Sequence, residues 1–392
     1  MSIYSIGQIS LYFPTKVIFG VGSLEKMRDE IKKFNIHEVL VIADKNLSDL
    51  GVIERVMSYI KDTISNIEFY YVSSEPSVDD FNNVARFVRG RHFDGVIGIG
   101  GGSTLDTAKI ASIAPTNTDD ISSYIGSDKV KYDGIPLILI PTTAGSGSEV
   151  TNIAVAKVKY ENVEVKRGIM SEYLLPDVVI VDPELTITLP PRLTAITGLD
   201  ALAHAIEGLT STRATPLTDS IALTSIALIL RYLYKAYTEG NNIEARTFMS
   251  MAALLSGLVV GNTGATLGHF IGETIGPIYN IPHGLAVGIT LPYVVKFYSK
   301  VLAQKMNMLY KIYLDIKSED VISNLINSLI RLYKSMNIPL SLAELDIPEA
   351  DLPKLAEITL RYKVRPTTLI KLNREVLLSI YEEMYEGVKQ IM

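Results

Sequence analysis

Neither cysteine nor tryptophan occurs in the 392 residues, and histidine occurs five times, at His37, His92, His204, His269 and His283. Without thiols there is no disulfide, no thiolate nucleophile and no iron–sulfur cluster, and any metal site must draw on His, Asp, Glu or backbone oxygens. The basic surface that nucleic-acid binding requires is not suggested by a net charge of −6 and a pI near 5.5, a balance that mainly favours solubility. The longest apolar helical stretch, SIALTSIALIL (220–230), is short of the roughly 20 apolar residues that span a bilayer. The opening MSIYSIGQIS has no basic segment ahead of an apolar run, so no signal peptide is expected. These absences together predict a cytoplasmic protein without nucleic-acid or membrane partners.

The length exceeds one ordinary core and predicts two domains. Up to about residue 187, short apolar runs alternate with helical periods. VLVIAD (39–44), FYYV (69–72), DGVIGIG (94–100), IPLILIP (135–141) and VVIVDP (178–183) read as strands. GVIERVMSYIKD (51–62), VDDFNNVARFVRG (78–90) and TLDTAKIASIA (104–114) read as helices. Strands alternating with helices predict a parallel sheet covered on both faces. After Pro190 and Pro191 the strand pattern stops, and helical periods run over 194–211, 217–238, 243–260 and 285–299. The expectation is an α/β domain over 1–187 and an all-helical domain over 188–392.

In the first half GVIGIGGGSTLDTAK (95–109) places Gly100, Gly101 and Gly102 at a strand end, where backbone can approach a ligand closely. Ser103, with Asp106 three residues on, reads as a capping box for the following helix, and the free N–H groups of such a helix start suit a pyrophosphate. The pattern is not a G-x-G-x-x-G fingerprint, and a tight strand–helix connection without ligand fits it too. PTTAGSGSEVT (141–151) follows another strand with the hydroxyls of Thr142, Thr143 and Ser146, and reads either as a ligand loop or as a solvated one. Asp44 ends an early strand, where an acid can hold ribose hydroxyls and repel a 2′-phosphate; an ordinary polar strand end is the alternative.

In the second half, GLDALAHAIEG (198–208) sets Asp200 and His204 four residues apart on one helix face, either half of a metal site or a simple Asp–His pair. His269 and His283 lie in the apolar, glycine-rich GHFIGETIGPIYNIPHG (268–284). Burying three imidazoles and a carboxylate without partners costs several kcal/mol. One divalent ion satisfies all four, and three nitrogens with one oxygen suit Fe²⁺ or Zn²⁺.

GGGSTLDTAK, PTTAGSGSEVT, LLPDVVIVDPELT (174–186), DALAHAIEG, STRATPLTD (211–219) and YNIPHG (279–284), in this order over about residues 10–300, resemble the iron-containing (group III) alcohol dehydrogenases. The resemblance implies a Rossmann-like N-terminal domain and a helical C-terminal domain, the dehydroquinate synthase-like architecture. It implies a homodimer or higher homo-oligomer, and hydride transfer between NAD, or NADP, and a small alcohol, aldehyde or ketone. The family's metal ligands fall on Asp200, His204, His269 and His283. Its cofactor positions fall on Asp44, Gly101, Gly102, Ser103, Thr142, Thr143 and Lys166; taken alone, Lys166 reads as a solvated charge. One position departs. The family commonly carries H-x-x-x-H in the helix of His269, and here the second His is Glu273. Glu273 is therefore a candidate proton relay or substrate contact, with an exposed helix-surface Glu as the alternative. Polyol or glycerol-type, maleylacetate-reductase-like and sugar-phosphate or glycerol-phosphate dehydrogenases are rival activities. A dehydroquinate-synthase-like lyase or a cofactor-binding protein without catalysis are rivals of other classes. The lyase needs several basic residues for its substrate, whereas the helices around the metal motifs are mostly apolar, so a small and weakly charged substrate is expected.

Overall fold

The computed structural model describes residues 11–13, 15–73, 75–160, 163–309 and 321–388; the segment read for a signal peptide lies outside them. The chain divides between Leu189 and Pro190 into an α/β unit from Phe13 and a helical unit that also holds Leu11 and Tyr12. Leu11 and Tyr12 thus depart from the expected 1–187 domain, and the Tyr12 N–H donates to Asn262 Oδ1 (2.8 Å) in the helical unit.

The α/β unit carries strands β1 (Lys16–Phe19), β2 (Glu38–Asp44), β3 (Asn66–Val72), β4 (Gly95–Gly100), β5 (Gly126–Ser127), β6 (Leu137–Pro141), β7 (Ile153–Tyr160), β8 (Val163–Met170) and β9 (Val178–Val181). Its longer helices are α1 (Met27–Lys33), α2 (Val52–Ser58), α3 (Val78–Arg89) and α4 (Gly102–Ile113). Six strands form one parallel sheet in the order β1-β9-β6-β4-β2-β3. The central runs Val39–Ala43 and Gly95–Gly100 are buried throughout, as a parallel sheet covered on both faces requires. From β2 the chain steps to β3 on one side, then returns to β4 on the other. This reversal makes a crevice at the carboxyl ends of β2 and β4, the usual ligand position in such sheets. Asp44 and Gly100 end those two strands.

Beyond the expected strands lie β1 and the β7–β8 hairpin, which with β5 forms a separate three-stranded sheet. A hairpin with one covered face carries alternating rather than continuous apolar residues. In the second half of β7, Ala156 and Val158 alternate with Lys157 and Lys159, so the two pairs point to opposite faces. A scan for continuous apolar runs passes over such a segment.

The helical unit carries α5 (Pro191–Leu209), α6 (Pro216–Thr238), α7 (Ile243–Thr263), α8 (Leu267–Tyr279), α9 (His283–Gly288), α10 (Leu291–Phe297), α11 (Ser299–Leu309), α12 (Val321–Ser335), α13 (Leu352–Tyr362) and α14 (Arg374–Glu386). The span 285–299, expected as one helix, is broken between α9 and α10 with Pro292 in the first turn of α10, where a missing N–H costs nothing. Among the described residues α6 and α7 are long and apolar enough to cross a membrane, with mean hydropathies of 1.2 and 1.4. This corrects the expectation that no helix reaches that length. More than half of each window is buried inside the protein, so much of their apolar character goes to packing.

Glycines bring α5, α8 and α9 together. A Cβ on Gly272 of α8 would stand 2.8 Å from the Val287 backbone of α9, and one on Gly284 of α9 would overlap the Ile196 carbonyl of α5. Asn280 ends α8 in the left-handed conformation (φ 53), and the turn through Pro282 opens α9 on His283.

Candidate metal centre and cofactor loops

Asp200 and His204 lie one turn apart on α5, His269 lies in the first turn of α8, and His283 begins α9. Asp200 Oδ1 stands 3.7 Å from both His269 Nε2 and His283 Nε2. One ligand atom from each of these three residues lies within 4.8 Å of the others. His204 is outside that set; its ring stacks on His269, with centroids 4.5 Å apart. Among the described residues neither His204 Nδ1 nor His269 Nε2, both buried, finds a hydrogen-bond partner. Burial holds His204 near pKa 4, so its imidazole is neutral and keeps a lone pair. Orphaned buried nitrogens beside a carboxylate are donors that a divalent ion fits.

A residue outside the expected ligand set supports this group. Glu207, fully buried on α5, accepts from the Thr266 N–H (2.7 Å), the His269 N–H (2.8 Å) and His269 Nδ1 (3.0 Å). The ring bond assigns the proton to Nδ1 and leaves Nε2 to face Asp200 and a metal. Burial opposes a charge on His269, but Glu207, then Asp200 and Glu273, outweigh it and raise its pKa. The signal was legible: Glu207 is the one charge in LAHAIEGL, three residues after His204.

Glu273 is buried, which excludes the exposed helix-surface alternative. Its Oε2 accepts from Lys363 Nζ and from an Arg365 Nη, each at 3.2 Å. Burial alone would raise its pKa, but Lys363, Arg365, His269 and His283 hold the carboxyl well below the usual range. A carboxylate held ionised in this way is a poor proton carrier at neutral pH, which counts against the expected relay. Lys363 and Arg365 lie about ninety residues from Glu273 in a segment without a motif, so no sequence spacing could have paired them.

In the α/β unit the helix after the glycine turn starts earlier than expected. Gly101 is the N-cap of α4 and makes no side-chain cap bond, which leaves Ser103 inside the helix. The capping box is therefore absent. Asp106 instead accepts from the Val155 N–H (2.9 Å), from Ser148 Oγ and from Lys109 Nζ (3.3 Å). The glycines also serve packing: a Cβ on Gly102 would stand 2.8 Å from Ser146 Oγ, and one on Gly101 3.3 Å from Thr143 Cγ2. The Thr142 N–H donates to the Gly100 carbonyl (3.0 Å). Gly101, Gly102, Ser103, Thr142 and Thr143 thus lie together at the start of α4, with Thr142 buried. Asp44 Oδ1 accepts from the Asn46 N–H (2.9 Å) and from Asn46 Nδ2 (3.0 Å). Lys166, on β8, is buried rather than solvated, and its Nζ meets Glu75 Oε1 at 2.7 Å.

Glu207→Gln keeps the shape of the side chain but removes the charge facing Nδ1. Zn²⁺ affinity measured against a competing chelator is expected to fall about 10- to 100-fold; unchanged affinity would refute the orienting role. Glu149, in the loop after β6, is pushed by burial from an ordinary 4.5 up to about 7, with Lys109 offsetting part of the shift. The folded state holds this proton more tightly than the unfolded one, so stability falls as pH rises from 4.5 to 7 and then levels off, by about 3 kcal/mol in all. Glu149→Gln should flatten that fall, seen in denaturant titrations at about pH 5 and about pH 8; the same slope in both proteins would exclude Glu149 as its source.

Comparison with known proteins agrees with this geometry in both units. Residues 14–183 match the family described as iron-containing alcohol dehydrogenase, and residues 194–385 match the Fe-containing alcohol dehydrogenase family, C-terminal. The Long-chain-alcohol dehydrogenase 1 of Geobacillus thermodenitrificans is 33% identical over 386 residues, covering 96% of this chain and 97% of that protein. The sulfoacetaldehyde reductase of Bilophila wadsworthia is 38% identical over 290 residues, 73% of this chain and 74% of that one. The crystal structure of sulfoacetaldehyde reductase from Bifidobacterium kashiwanohense in complex with NAD⁺ superposes with a TM-score of 0.86 at 28% identity, over 96% of this chain and 99% of that one. The chain belongs to the iron-containing alcohol dehydrogenase family.

Proposed function

We propose that this enzyme transfers a hydride between NAD(H) and a small alcohol or the matching aldehyde or ketone, with one divalent metal held by Asp200, His204, His269 and His283. The observation that carries this reading is the meeting of buried Asp200 and His269 with partly exposed His283, one ligand atom of each within 4.8 Å of the others, in a chain of this family. When bound, the metal supplies Lewis acidity toward the alcohol or carbonyl oxygen and the nicotinamide carries the hydride. The protein's own part is placement. Glu207 orients His269, the apolar residues of α5 and α8 exclude water, and the start of α4 offers backbone N–H groups to the pyrophosphate. Asp44, Thr142, Thr143 and Lys166 complete the cofactor contacts, and the Asp44 carboxylate disfavours a 2′-phosphate, so NAD is preferred over NADP. The donor set accepts Fe²⁺, which the family name favours, and Zn²⁺. Metal-free protein reloaded with either ion should oxidise NADH faster than NADPH with a panel of aldehydes and ketones; inactivity with both ions across the panel would overturn the assignment.

We also propose a cytoplasmic homodimer without membrane partners. The burial of more than half of the α6 and α7 windows supports the absence of a membrane. Edge strand β1, with Phe13, Val17 and Val21 exposed around it, supports pairing with a second copy, since an unpaired edge is a template for another strand. Sedimentation equilibrium should give a dimer that Val17→Glu weakens; a wild-type monomer would exclude it.

A further inference from the structure

Lys109 lies about two turns into α4, and its side chain is fully buried. Its ammonium reaches four acceptors: the Ile153 carbonyl (2.6 Å), Ser148 Oγ (2.9 Å), Thr151 Oγ1 (3.1 Å) and Asp106 Oδ1 (3.3 Å). Burial pushes its pKa down, and Asp106 and then Glu149 offset part of the shift. A buried ion pair is often no more stable than apolar residues of the same volume, and what it can add is a single geometry.

That geometry extends outward along the loop after β6. Ser148 Oγ accepts from Lys109 and donates to Asp106 Oδ1, and the other Asp106 oxygen takes the Val155 N–H (2.9 Å). The Ser148 N–H in turn donates to Ser146 Oγ (3.3 Å) across Gly147, whose left-handed backbone (φ 62) makes the turn. Ser146 is partly exposed, as are Gly101, Gly102 and Ser103, and its Oγ stands 2.8 Å from where a Cβ on Gly102 would be. Among the described residues, the loop 142–148 is hydrogen-bonded to β4 and α4 at its two ends. The Thr142 N–H meets the Gly100 carbonyl (3.0 Å) at one, and Ser148 meets Asp106 and Lys109 at the other. The Ser146 hydroxyl accepts from the backbone and keeps its own proton to donate. It does so beside the first N–H groups of α4, which have no partner within the helix.

We propose that Lys109 is a positioning residue for the dinucleotide: through Ser148 it fixes Ser146 against the start of α4, where the pyrophosphate is received. This rests on the dehydrogenase reading and adds to it a side chain that touches neither cofactor nor substrate yet sets cofactor affinity.

NADH titrations of the zinc-loaded enzyme, read by nucleotide fluorescence, and steady-state kinetics with an aldehyde panel test this. Lys109→Met, which keeps a long side chain and loses the ammonium, should raise the Kd and the KM for NADH about 10- to 100-fold, while kcat at saturating NADH stays within about 3-fold. Ser148→Ala should raise the Kd about 3- to 10-fold. Added to Lys109→Met it should cost no further affinity, because the two side chains act in one chain of contacts. A role confined to the core would lower the urea midpoint and leave NADH affinity alone; that result overturns the proposal, and so does a double variant whose losses simply add. Should Lys109→Met fail to fold, Ser148→Ala decides, and an unchanged Kd overturns the proposal. NADH bound equally by wild type and Lys109→Met refutes the role of Lys109 and leaves the dehydrogenase reading intact. A wild type that binds NADH through Lys109 yet reduces no aldehyde refutes turnover alone, and a wild type that binds no NADH refutes both.

Discussion

The fully buried carboxylate of Glu207 receives three N–H groups from the start of α8, and the placement of the surrounding helices depends on that contact. An ionised carboxylate in an apolar helical core costs several kcal/mol unless its oxygens are matched. The backbone of Thr266 and His269 and the ring of His269 supply the match only if α8 begins beside this part of α5. The approach is so close that a Cβ on Gly268 would overlap Glu207 Oε1. Gly272 and Gly284 extend the same close packing to α9, and this carries His283 to the carboxylate of Asp200.

Around this contact the ionisable groups separate by environment. His204 has its pKa lowered by burial, while carboxylates raise that of His269. Glu273 stays an anion between Lys363 and Arg365. Its Oε2 makes both contacts at 3.2 Å.

The α/β unit shows a similar use of buried polar groups. Lys109 donates to Asp106, Ser148 Oγ, Thr151 Oγ1 and the Ile153 carbonyl, which ties α4 to the loop after β6 and to β7. The glycine turn stays tight because Ser146 and Thr143 occupy the space that Cβ atoms would need.

Local pattern by itself determined the continuous apolar strands, the helical second half and the strand ends that carry Asp44, Gly101 and Thr142, because burial on both faces of a parallel sheet and the 3.6-residue period are written in neighbouring residues. It also marked the four metal-binding candidates, since histidines are few and lie among apolar residues. Tertiary structure decided what depends on distant partners. The capping box at Ser103 gave way because Ser148, Lys109 and the Val155 amide claim Asp106. The alternating β7–β8 hairpin took its place through pairing. Three candidate ligands converged while His204 stacked on His269. Glu273 acquired Lys363 and Arg365 from a loop ninety residues on, because charges in a folded core choose partners by distance in space, which spacing along the chain does not encode.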